Sequence, residues 1–166
     1  MADATPKIIE TNPKALLNFA RQYFKAAEAV FEKDPSLRLP LNYLYFHTVE
    51  VLLKAFLRAN GKQPKSNHEI VELLREAKAL GLVVPGDPGI QSIVSLLTAG
   101  NADHAFRYGT PKSTTEPDLT WTREAVGKLL EVVGTFVDPD DTLKTPGPAI
   151  ALRVTFGKPV RKSGPK

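Results

Sequence analysis

Apolar residues recur every three or four positions along most of the first 138 residues, which is the period of an α-helix and not of a strand. Leu16, Ala20, Tyr23, Phe24, Ala27, Val30 and Phe31 mark a first helix from Pro13 to about Lys33. Asn12 followed by Pro13 starts it, an N-cap residue and then proline at the first helical position. "DPSLRLP" breaks the chain, and a second helix is expected from near Leu41 through "NYLYFHTVEVLLKAFLRAN" to Gly61. Ser66 and Glu69 form a capping box for a third helix, whose Ile70, Leu73, Leu74, Ala77 and Leu80 make one stripe before Gly81. Asp87 and Pro88 open a shorter fourth helix through Ile90, Ile93, Val94 and Leu97, ending at Gly100. "NADHAFRYGTPKSTTEPD" reads as a long polar connection. A last helix, from about Thr120, places Trp121, Ala125, Leu129, Leu130, Val133 and Phe136 on one side until Asp138 and Pro139 stop it.

The second helix stands apart because it is apolar almost all round, as expected of a helix packed on several sides at the centre of a bundle. At 100° per residue its exceptions, Tyr43, His47, Glu50, Lys54 and Arg58, fall within an arc of roughly 80°. Three readings fit this stripe. It is a solvent-facing edge stitched by the Glu50 to Lys54 pair, a seam between two copies of the chain, or one wall of a functional cleft. In the cleft reading His104, Arg107 and Tyr108 of "NADHAFRYGT" point toward it.

Composition narrows the function classes. Without cysteine, disulfides, thiolate metal sites and cysteine nucleophiles are excluded. The net charge of +4 suggests nucleic acid until it is located: residues 1–138 carry sixteen Lys and Arg against sixteen Asp and Glu, and residues 139–166 carry six against two. A basic face on the folded part, which phosphate-binding domains show, is therefore not implied. No apolar run reaches signal-peptide or membrane-span length, so a soluble cytoplasmic protein without membrane contact is expected. The expected organisation is a flexible N-terminus over residues 1–12, a helical bundle over 13–138 and a basic Pro/Gly-rich tail over 139–166, within which "AIALRVTF" could form a strand given a partner edge.

"YLYFHTVEVLLKAFLRANGKQPKSNHEIVELLREAKALGL", followed later by "FRYG", resembles the HEPN domains (higher eukaryotes and prokaryotes nucleotide-binding). The matching positions are Glu50, Leu53, Lys54, Gly61, His68, Leu73 and Leu74, then Arg107 and Tyr108, within a resemblance covering roughly residues 13–137. It implies an all-α antiparallel bundle of four or five helices, often a dimer. The family it points to contains endoribonucleases and toxins paired with nucleotidyltransferase antitoxins. The ribonuclease branch carries an arginine, four to six intervening residues and a histidine. Here Arg107 is followed by "YGTPKSTTEPDLTW", and no arginine has a histidine at that distance.

Metal-free RNA cleavage needs a group to move the 2′-hydroxyl proton and a cation near the strained phosphate. Arg107 with His104 or His47 could supply both, and Arg107 could also meet His68. The structural alternative is that Arg107 caps a helix end or pairs with Glu50, and that His68 is a first-turn residue packed over the preceding loop. Tyr43, Glu50, Lys54, His68 and Tyr108 are the expected binding residues. Three histidines do not make a metal site here, since HExxH spacing is missing, and no P-loop spacing or cofactor motif occurs. The function expected is a non-catalytic binding and assembly module, a homodimer and partner of a nucleotidyltransferase-like protein. The alternatives are a metal-independent endoribonuclease, or nucleotide or RNA binding without cleavage.

Overall fold

Helix α1 spans Pro13–Lys33, and its N-cap works as the sequence predicts: the Asn12 side chain accepts from the Ala15 backbone N–H at 2.7 Å. The computed structural model describes residues 12–64, 68–85, 89–108 and 116–141. α2 is Arg38–Ala59, α3 Ile70–Ala79, α4 Ile90–Gly100, α5 the single turn Ala105–Tyr108, and α6 Leu119–Val137. Short 3-10 turns cover Ala102–His104 and Pro139–Asp141. The described residues are all-α, with no strand among them; "AIALRVTF", Ser66, Asp87 and Pro88 lie outside them. No described helix is long and apolar enough to cross a membrane.

α2 packs against α1, α3, α4, α5 and α6, and buries residues on every side from Leu41 to Leu57, as its nearly uniform apolarity requires. It begins at Arg38, three residues earlier than its apolar pattern indicates. Pro40 falls in the first helical turn, where a backbone N–H has no partner to lose, so proline starts this helix and does not break it. Arg38 holds that end in place, donating to the Glu116 carboxylate and to the Pro117 carbonyl ahead of α6. On the opposite side, Arg123 of α6 reaches Glu28 of α1 at 2.7 Å and lies over the Phe31 ring. The buried Tyr45 hydroxyl donates to the same carboxylate, and burial, with the Glu28 charge, pushes its ionisation up.

Several side chains sit differently from the expected stripes. Trp121 and Phe136 are exposed on α6, whose buried line runs through Leu119, Thr122, Ala125, Val126, Leu129, Val133 and Val137. On α1 the buried positions are Leu17, Ala20 and Ala27, and Tyr23 is 37% exposed. "NADHAFRY" is not an irregular connection but two short helical turns that drive Phe106 into the core. α4 ends at Gly100, as its sequence indicates. A Cβ there would come within 2.8 Å of Phe106 Cζ, so glycine is what lets the ring seat. The two helix-ending glycines that do adopt the left-handed conformation are Gly61 and Gly81, at φ +73° and +93°.

Candidate polar cleft on the central helix

The stripe on α2 is buried at its centre. Glu50 is 3% exposed, so the solvent-edge reading does not hold. A buried carboxylate needs donors, and three basic side chains converge on this one. Lys54 Nζ, one turn along, lies 2.6 Å from Oε1, and His68 Nδ1 lies 2.8 Å from the same oxygen. His47 Nδ1 stands 3.3 Å from Oε2, inside ion-pair range but not aligned as a hydrogen bond. Burial alone would raise the pKa of this group, but the closeness of His47, Lys54 and His68 outweighs it and holds the carboxyl at about 2. Glu50 is therefore an ion, and an ionised carboxylate only accepts. The His68 Nδ1 is then the donor, from a side chain that is 47% exposed.

His68 reaches Glu50 because it is not in the first turn of α3. The helix begins at Ile70 with Glu69 as its N-cap, and His68 precedes both. The edge of its ring faces His104, with centroids 6.4 Å apart. Among the described residues His104 is the single non-glycine with positive φ, at +59°, a conformation disfavoured for a residue with a Cβ. That strained residue joins the 3-10 turn to α5 and brings both His104 and Arg107 to the cleft.

On the other side of Glu50, His47 Nε2 is 2.9 Å from the Tyr43 hydroxyl, and the Arg107 guanidinium lies over the Tyr43 ring at 5.7 Å. Tyr23 of α1 stacks on His47 with centroids 5.1 Å apart and planes 18° from parallel. Among the described residues no hydrogen bond or ion pair links Arg107 to Glu50 or to a histidine; it joins the cluster through Tyr43. The cluster holds Tyr43, His47, Glu50, Lys54, His68, His104 and Arg107, all singled out in the sequence. Tyr108, 72% exposed, makes no contact with it among the described residues, and no described hydrogen bond or ion pair brings in Arg58. Tyr23 is the member that sequence reasoning missed, because its helical spacing assigns it to the core stripe and nothing local links it to His47.

Among the described side chains, Lys54 matches Glu50 and no ion pair of Arg107 is described, beside three imidazoles that can each donate. The described residues hold no cluster of three His, Asp or Glu that could bind a metal ion. The arrangement suits an anion placed over the exposed edge of the cluster. No curated protein and no solved structure matches the chain, whereas the family model of the HEPN domain matches residues 13–139.

Proposed function

The chain belongs to the HEPN domain family, and we propose that within it this protein is a binding domain for the phosphate of a nucleotide or an RNA strand. The phosphate is held at the exposed edge of this cluster, where His68 is in ring contact with His104 and Arg107 is joined through Tyr43. The observation that carries this reading is the convergence on Glu50. A carboxylate whose charge is already answered by Lys54 and His68 holds its neighbours in place without repelling a second anion. Arg107 supplies a further cation, with the planar fork that suits phosphate oxygens. Binding without cleavage is the primary assignment, because the arginine–histidine spacing of the ribonuclease branch is absent.

Cleavage is the second reading, and the Glu50–His68 contact favours it specifically. His68 Nε2 would take the proton of a 2′-hydroxyl as its oxygen attacks the adjacent phosphorus. His104, when protonated, would give a proton to the departing 5′-oxygen, leaving a 2′,3′-cyclic phosphate and a 5′-hydroxyl. The two readings separate in one experiment: a short single-stranded RNA with the wild-type chain, Arg107→Ala and His68→Gln, in EDTA. We expect wild type to bind intact RNA, Arg107→Ala to bind at least about five-fold more weakly, and affinity to fall as salt rises. Cyclic-phosphate products that vanish in His68→Gln would install the cleavage reading. Equal affinity of wild type and Arg107→Ala would overturn the site assignment.

A further inference from the structure

Beside the cluster, the start of α2 and the turn α5 border an open depression of about 500 Å³ lined by Leu39, Pro40, Tyr43, Phe106 and Arg107. Its volume falls within the range of small-molecule sites. The lining is hydrocarbon and aromatic apart from two polar groups, and both are already placed: the Tyr43 hydroxyl is bonded to His47, and the Arg107 guanidinium lies over the Tyr43 ring. Tyr43 and Arg107 belong at once to this depression and to the polar cluster. A ligand that engages both regions must carry a flat apolar body and, a short distance from it, an anionic group.

We propose that the depression receives one unpaired nucleobase of the ligand whose phosphate lies at His68, His104 and Arg107, an inference that rests on the phosphate reading above. Bases outside a duplex are taken up by stacking on aromatic rings and guanidinium planes, and both surfaces are present here. The charge agrees, since the lining contains a cation and, among the described residues, no carboxylate. An apolar peptide side chain in the same place would leave Arg107 without a counter-charge. The Tyr43 hydroxyl is bonded to His47 and Arg107 is committed to the phosphate, so stacking, which every base offers, sets the affinity and purine and pyrimidine are accepted alike.

Titration calorimetry on the full chain with AMP, UMP and ribose 5-phosphate tests this, in wild type and in Leu39→Ala, which shortens the apolar wall. Stacking one base should make AMP bind about ten-fold or more tightly than ribose 5-phosphate, with UMP within about five-fold of AMP. Leu39→Ala should lose most of that gain and leave ribose 5-phosphate unchanged; Pro40→Ser, at an exposed position, should lose part of it. Equal affinity for AMP and ribose 5-phosphate would overturn the base site while the phosphate reading stands. An AMP advantage that survives intact in both variants would overturn it in the same way. If neither ligand binds, the phosphate reading fails and the base site falls with it.

Discussion

Glu50 shows how one residue can be structural and functional through the same contacts. Its pKa in the folded chain lies at about 2 against the ordinary 4.5, because Lys54 and the two histidines favour the ion more than burial opposes it. A lowered carboxylate contributes stability that is present above about pH 4.5 and is lost as pH falls toward 2. Glu50→Gln keeps the shape but leaves Lys54 partly buried without its counter-charge, a loss on the order of 3 kcal/mol at neutral pH. Urea unfolding at pH 7 and pH 3 checks the sign: the gap between wild type and Glu50→Gln should shrink markedly at pH 3. A gap independent of pH would mean that the Glu50 charge has no part in holding the cluster. Tyr43, His47, Glu50 and Lys54 are legible in the sequence as one group because they share a helix and its 100° step fixes their relation. Tyr23 is not legible, since its approach to His47 depends on how α1 crosses α2.

Among the elements, α5 has most effect on the site for its length. It is four residues long, too short to hold itself by helix propensity, and its position rests on Phe106 seated against Gly100 at the end of α4. Two effects oppose each other in Gly100→Ala. Alanine gains up to about 1 kcal/mol of helix propensity, whereas a methyl 2.8 Å from a buried ring forces repacking that costs about 1 to 3 kcal/mol. The clash should prevail, giving a net loss of about 1 kcal/mol in thermal unfolding, and the order should reverse in a Phe106→Leu background, where the ring is gone. A Gly100→Ala that stabilises the otherwise unchanged chain would show that Phe106 moves freely. The helices themselves are legible from apolar spacing and caps, Asn12 and Gly81 above all. Where the pattern misleads, on Trp121 and Phe136 of α6, large apolar side chains are left partly in solvent, Phe136 although its ring meets Phe56 of α2 at 4.7 Å. The capping box of Ser66 and Glu69 would start α3 ahead of His68, whereas the helix begins at Ile70 with Glu69 as its N-cap and no side-chain cap hydrogen bond.

For the whole molecule, the bundle acts as a frame that brings four separate segments to one place: α1 through Tyr23, α2 through its polar stripe, the approach to α3 through His68, and the α4–α5 junction through His104 and Arg107. The basic residues of the tail lie outside the described part, and the site owes its cationic excess to Arg107 within the bundle. The chain has three histidines, all of them in the cluster, which makes them the most direct probes of the site. Imidazole NMR signals of the full chain, followed while inorganic phosphate and then AMP are added, report on the cleft with little else in the spectrum. A phosphate site built around Glu50 predicts saturable shifts of His68 and His104, with His47 moving less, and loss of saturation in Arg107→Ala. Signals that stay fixed through the AMP titration, or that move identically in Arg107→Ala, would contradict it.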